Sequence, residues 1–262
     1  MPAKMPVTTF SRRATLLTVL LAAMGAVHAQ PGDYPNRPIR LIVAWPAGGG
    51  GDLVGRVMAD RLGQLLGQPV IVDNRAGASG TIGTQAAARS PADGYTLLLG
   101  QANNNVIAPA VFKVAYDTVQ DFTPITYIGY APNILVVHPQ FPVNSVPELI
   151  AAARKAGDFT FSSAGYGTIQ NISGAQFSRL AGAPFTNVPY KGSSAALTDL
   201  LAGRVTMSFE TMPSVLPSVL GGKLKALAVS TPQRVPALPN VPTYAEAGLS
   251  EVKLTNWYSL MA

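Results

Sequence analysis

Strands and helices alternate along this 262-residue chain, and that alternation predicts the α/β class. Two further observations shape the expectation. Apolar residues make up 48% of the chain and charged residues 12%, which suits one large core or two small ones and excludes a disordered polymer. The alternation also comes in two blocks with a long segment, 121–139, between them. Two blocks suggest two lobes, with a single doubly wound domain as the alternative.

The elements follow in order. PIRLIVAWPA is a short apolar run rich in β-branched residues and predicts a buried strand. After four glycines, DLVGRVMADRLGQLLG carries Leu53, Val57, Leu62, Leu65 and Leu66 at roughly helical spacing. Asp52 suits its N-cap and Gly67 its stop. PVIVDN is the next strand, so residues 38–74 read as a parallel strand–helix–strand unit. RAGASGTIGTQAAARS leads into a helix and GYTLLLGQ is a strand. DFTPITYIGYAPNILVVHP reads as two strand pieces split by Ala131-Pro132. Then come helix VPELIAAARKAG, strand FTFSSAG, helix GTIQNISGAQFSRLAG, strand FTNVPYKG, helix SSAALTDLLAG, strand VTMSFETM, helix SVLPSVLGGK and a last clear strand, LKALAVST. A Pro-spaced stretch, PQRVPALPNVPTYAEAGL, is expected to hold one short helix. About eight strands result.

Residues 1–29 read as an export signal of the Sec or Tat type. Lys4, Arg12 and Arg13 precede an apolar run from Ala14 to Val27, and Val27-His28-Ala29 resembles a cleavage site. Losing those three cations takes the formal charge from +6 to +3, and no basic run interleaved with aromatics remains, so nucleic acid is not an expected partner. The chain has no Cys, which excludes disulfides, zinc–thiolate and iron–sulfur sites and a Cys nucleophile. No cofactor and no metal site is expected.

Three strand-to-helix junctions are rich in glycine or small polar residues: WPAGGGGD (45–52), NRAGASGTIG (74–83) and SSAGYGTIQN (162–171). Each places backbone N–H groups at a helix start, where they lack intrahelical acceptors and the dipole is positive, so each favours an anion. Ser163 and Thr168 add hydroxyls. In open α/β sheets ligands bind at such strand ends. Other chemistry matches poorly. GGGGD lacks the third glycine of a dinucleotide fingerprint, although Asp73 stands where a ribose-binding acid would. No P-loop or G-x-S-x-G is present. His138, the one histidine after cleavage, reads as a strand-end residue rather than a base. Gln101, Lys191 and Glu210 also lie at strand ends, where they suit either ligand or turn.

Together these segments resemble the substrate-binding proteins of tripartite tricarboxylate transporters, the Bug (TctC-like) family. The matching stretches, in order, are YPNRPIRLIVAWPAGGGGD, VIVDNRAGASGTIG, ADGYTLLLG, DFTPITYIG, ILVVHP, FSSAGYGT, VPYKGSSAALTDLLAGRV, GKLKALAVST and LPNVPTYAEAGL. The resemblance implies a two-lobed, type II-like periplasmic binding-protein fold that closes on a small carboxylate. Lobe one would comprise 36–131 and 231–262, and lobe two 132–230. By position, Ala47, Gly48, Gly49, Gly50 and Asp52 would bind from the first loop, with Ala78, Ser79 and Asn103 nearby; Ser163, Ala164, Gly165, Gly167, Thr168 and Tyr190 would bind from lobe two. Against the family pattern, Ala47 replaces a proline and Gly51 a hydroxyl residue, Thr206 stands where an Asp is common, and Glu210 is the acid that ends the same strand. Family members continue past NWYSLMA with segments that complete lobe one, so the sequence is expected to be a fragment or a natively short form.

The functional expectation is an exported periplasmic protein, not an enzyme, that works as a monomer and delivers a small organic carboxylate to the membrane subunits of such a transporter. The alternatives are an NAD-linked or hydrolytic α/β enzyme, and a sensor that presents its closed form to a membrane receptor.

Overall fold

A computed structural model of the chain describes residues 34–262; the export signal read over residues 1–29 lies outside them. Residues 37–262 form one compact unit. Its strands are β1 (Ile39–Val43), β2 (Val70–Asn74), β3 (Thr96–Gln101), β4 (Pro124–Val137), β5 (Phe159–Ser163), β6 (Phe185–Pro189), β7 (Met207–Thr211), β8 (Lys225–Val229) and β9 (Thr255–Met261). The helices are α1 (Gly50–Leu66), α2 (Thr81–Ala88), α3 (Ala108–Val111), α4 (Val146–Ala156), α5 (Ile169–Ala181), α6 (Ser193–Leu201) and α7 (Met212–Leu220). The sheet order is β2-β1-β3-β9-β4-β7-β5-β6, with β8 also on β4. The α/β class expected from the sequence is the class observed.

The sheet has two wings. In the first, β1 pairs in parallel with β2 and β3, and β9 runs antiparallel between β3 and β4. In the second, β5 pairs in parallel with β6 and β7, and β7 is antiparallel to β4. Parallel strands are buried on both faces, and the packing shows it. Leu41 and Val43 of β1 pack on one side with Leu99 and Leu260, while Ile42 packs on the other with Leu98, Phe122 and Met261. In the second wing Leu135 and Val137 join Phe161, Phe177 and Phe209, while Ile134 and Val136 join Leu200, Val215 and Val229.

Four expectations are corrected. First, β4 is one strand of 14 residues and is not split at Ala131-Pro132. Pro132 has no N–H to give, and it sits where the strand changes partners: Pro132 is the last residue paired with β9 and Asn133 the first paired with β7. Second, β9 was not anticipated; it links the wings. Third, the 232–249 stretch forms turns and bends rather than a helix. Fourth, α1 begins at Gly50 with Gly49 as N-cap, so Asp52 lies inside its first turn. The packed face of α1 also differs from the apolar spacing. Gly55 and Ala59 are buried, and a Cβ on Gly55 would lie 2.7 Å from Val43 Cγ2, whereas Leu53, Val57 and Leu65 are exposed. Small residues let the helix seat close to β1. Gly67 ends α1 in the left-handed conformation, as expected.

Candidate functional site

The loop from β1 into α1 is fixed by Asp52. Its buried carboxylate accepts hydrogen bonds from Gly48 N (2.9 Å), Arg56 Nε (2.9 Å) and Asn74 Nδ2 (3.0 Å). Burial alone would raise the Asp52 pKa, but the bonds from Arg56, Gly48 and Asn74 outweigh it and hold the carboxyl below its ordinary value. Asn74 Nδ2 also donates to Trp45 O (3.0 Å), tying the end of β2 to the same loop. The glycines that follow are there because other groups come close. A Cβ on Gly50 would stand 2.6 Å from Thr211 Oγ1 and 2.8 Å from Ser214 Oγ, and one on Gly51 would stand 2.4 Å from Gln101 Nε2.

These close approaches enclose a small chamber between the wings, of about 20 Å³, room for about one water molecule. Trp45, Gln101, Asn256 and Tyr258 line it from the first wing, and Gln170, Ser193 and Thr211 from the second. None of the described residues lining it is charged. Its polar atoms are incompletely matched. Trp45 Nε1, Gln101 Nε2 and the Tyr258 hydroxyl are buried without a hydrogen-bond partner among the described residues, as are Gln170 Oε1 and Asn256 Oδ1. A buried polar atom left unpaired costs about 1–3 kcal/mol, so such a cluster marks a place for a ligand. Burial raises the Tyr258 phenol pKa, so it stays a neutral donor.

Hydrogen bonds run from wing to wing around the chamber and its outer pocket. Gly50 N donates to Ser214 Oγ (2.9 Å), Ile169 N donates to Asn103 Oδ1 (2.8 Å), and Ser79 Oγ donates to Tyr166 O (2.5 Å). Asn103 begins a π-helical turn, Asn103–Ile107, a local widening often associated with function. Ser79 and Ala78 hold positive φ angles of 56° and 45°, a strained conformation for residues with a side chain. Beneath Gln170 and Ser193 lies Glu210, fully buried, with Oε1 accepting from Ser208 Oγ (3.3 Å). Burial pushes its carboxyl up to about 7 against hydrogen bonds from Ser193, Ser208 and Gln170.

The residues expected at the site divide into three groups. Gly49, Gly50, Asn103 and Ala164 line the chamber. Ala78, Ser79, Ala164, Gly165 and Tyr190 line a contiguous outer pocket of about 260 Å³, which shares Trp45, Pro46 and Ala164 with the chamber and also holds the exposed Lys191. The third group supports the loops. Ala47 and Gly48 are exposed, and Asp52 faces away to its three donors. Ser163 Oγ and Thr168 Oγ1 both donate to Gly165 O (3.3 and 2.7 Å), and Thr168 Oγ1 caps α5 by accepting from Asn171 N. Gly167 sits at φ +63° with its N–H on Asn171 Oδ1. Their hydroxyls and amides are thus engaged within their own turn.

Trp45, Gln170, Ser193, Thr211, Asn256 and Tyr258 were not anticipated. Asn256 and Tyr258 alternate on β9, within TNWYSLM; Gln101, expected to suit either ligand or turn, lines the chamber. His138 ends β4's neighbourhood as expected, its Nδ1 accepting from Gln140 N (3.3 Å). A larger groove of about 590 Å³, between Tyr130, Thr231, Tyr244 and Lys253, is open and mainly apolar and does not gather a comparable set of unmatched donors. Among the described residues no helix is long and apolar enough to cross a membrane, and no group of three or more His, Cys, Asp or Glu side chains could hold a metal.

Comparison with known proteins shows the family. The family described as "Tripartite tricarboxylate transporter family receptor" matches residues 54–262. The protein BugT of Bordetella pertussis is 38% identical over 257 residues, covering 94% of this chain and 79% of BugT. The structure of the periplasmic binding protein BugD superposes with a TM-score of 0.83 at 33% identity, over 87% of this chain and 77% of that one. MatC from Rhodopseudomonas palustris, solved with bound malate, gives 0.82 at 32% identity over 87% and 79%. The chain therefore belongs to the tripartite tricarboxylate transporter receptor family, whose members are periplasmic solute-binding proteins and not enzymes.

Proposed function

We propose that this protein captures a small organic carboxylate in the chamber and its outer pocket, and delivers it to the membrane subunits of a tripartite tricarboxylate-type transporter. On this reading it is exported by the signal at residues 1–29 and works in the periplasm as a monomer. Residues 36–131 with 231–262 act as one lobe and residues 132–230 as the other. The observation that carries the reading is the group of buried, unmatched donors, Trp45 Nε1, Gln101 Nε2 and Tyr258 OH, beside the N-terminal turn of α1. Neutral donors in a dry site hold a carboxylate well, because each bond to a charged acceptor contributes about 1.5–3 kcal/mol.

The malate bound to MatC supports the ligand class. The chamber as it stands is too small for such a molecule, so binding must part the wings or displace the bonds that cross it. A ligand carboxylate would take the place of the Ser214 and Asn103 oxygens as acceptor for Gly50 N and Ile169 N. The test is calorimetry of the mature chain against malate, succinate, adipate, aspartate and glutamate, with Trp45→Phe and Gln101→Leu as variants. The reading requires that at least one carboxylate bind and that both variants weaken it. Binding that ignores both substitutions would remove the site assignment.

A further inference from the structure

Two apolar side chains take no part in the core of their own wing. Val111, the last residue of α3, and Phe112, its C-cap, are 53% and 41% exposed, and neither packs into the apolar clusters of either wing. They reach across to the second wing instead. A Cβ on Gly167, in the turn between β5 and α5, would stand 2.6 Å from Val111 Cγ2 and 2.7 Å from Phe112 Cε2. Both side chains therefore lie over the bare face of a glycine that belongs to the opposite wing.

Gly167, expected to bind ligand, lines neither the chamber nor the outer pocket, and its N–H is engaged by Asn171 Oδ1 (3.3 Å). Its φ of +63° favours glycine, and the missing side chain leaves the space that the Phe112 ring takes. The same turn is tied to the first wing at two further points, by Ser79 Oγ donating to Tyr166 O and by Ile169 N donating to Asn103 Oδ1. Water can replace those two hydrogen bonds when the wings part, so each contributes little net energy to closure. It cannot replace the apolar contact. Parting the wings would expose Val111 and the Phe112 ring further, at a cost proportional to the apolar area uncovered.

Resting on the carboxylate reading above, we propose that Val111 and Phe112 form an apolar latch on Gly167 that holds the closed wings together and so sets how long the bound carboxylate stays, without touching it. Phe112 is a positioning residue, since it lines neither the chamber nor the outer pocket. A ligand that enters and leaves only while the wings are parted is retained in proportion to the closed population. Weakening the latch then speeds release and leaves entry unchanged.

The experiment is stopped-flow binding of malate, adipate and aspartate to the mature chain, followed by tryptophan fluorescence. Phe112→Ala is expected to raise the dissociation rate about tenfold and to leave the association rate within about twofold. Phe112→Leu, which keeps an apolar contact, should recover most of that loss. Gly167→Ala should also speed release, because its methyl group displaces the ring, and the double variant should release no faster than the faster single one, since both act through one contact. Circular dichroism confirms that each variant is folded; if Phe112→Ala is not, Val111→Ala carries the same test at about threefold. An unchanged dissociation rate overturns the proposal, as does a Phe112→Leu variant that releases as fast as Phe112→Ala, or single effects that multiply in the double variant. If the parent binds none of the three ligands, the carboxylate reading fails and the latch is tested alone. Spin labels on Leu65→Cys and Leu220→Cys, exposed positions on α1 and α7 in a chain without other Cys, then report the separation of the wings. Phe112→Ala should shift their distance distribution, and identical distributions overturn the latch.

Discussion

The two walls of the chamber solve the same problem in different ways. On the first wing, the loop is held from behind by Asp52, and the side chains that face inward, Trp45, Gln101 and Tyr258, keep donors free. On the second wing, the turn after β5 consumes its own hydroxyls: Ser163 and Thr168 both donate to Gly165 O. One wall is braced so that it can grip, whereas in the other the turn after β5 is self-satisfied and shapes the space. Residue type alone does not separate these roles, because serine, threonine and glycine occur on both sides.

Substitutions can break or sharpen this contrast. The largest effect is expected from Gly50→Ala, whose Cβ would press on Thr211 and Ser214 of the opposite wing at 2.6 and 2.8 Å. Affinity for a carboxylate that the parent binds should fall about a hundredfold. Gly49→Ala is the matched control: the nearest atom to its Cβ would be Pro46 O at 3.6 Å, and affinity should stay within about threefold. Equal effects of the two variants in calorimetry would show that closure across Gly50 is unimportant.

Next comes Asp52→Asn, which removes the brace. Urea denaturation at pH 7 should show a loss of about 2 kcal/mol. Because the Asp52 pKa is lowered in the fold, its stabilisation is present above the unfolded value of about 3.9 and is lost as pH falls through the folded value. The gap between the variant and the parent should therefore narrow in acid below that value, and a constant gap would contradict the assigned role.

A smaller effect is expected from Trp45→Phe. It deletes an unmatched donor, so affinity should drop about tenfold while the melting temperature holds or rises. Smallest is Ser163→Ala, since its hydroxyl is engaged by Gly165 O; affinity should change by less than about twofold. A tenfold loss there would mean that the second wall grips as well.

Much of the frame was legible in the sequence, because β1, α1 and β2 carry local signals: β-branched runs, a glycine stop, a short crossover. The Gly-rich junctions were legible for the same reason, and all three line the chamber or its outer pocket. What stayed hidden depends on partners distant in sequence. Asn256 and Tyr258 reach the chamber only because β9 inserts between β3 and β4, a pairing that no local period announces. Pro132 looked like a break because proline usually is one; its tolerance comes from falling between two ladders. The apolar spacing of α1 misled in another way, since close seating favoured Gly55 and Ala59 over the larger side chains.

The change of partners at Pro132 also ranks the bonds that span the wings by leverage. Thr211 pairs with Asn133, beside the crossing, so the contact of Gly50 with Thr211 and Ser214 sits near the pivot of any rotation between the wings. The bond from Ser79 to Tyr166 O lies out at the rim, with Ser79 and Tyr166 both lining the outer pocket. A small turn about the crossing carries the rim far and the pivot hardly at all. Under the proposed parting of the wings on binding, the single hydroxyl at the lip would let go first, and the innermost grip would be the last to feel the movement.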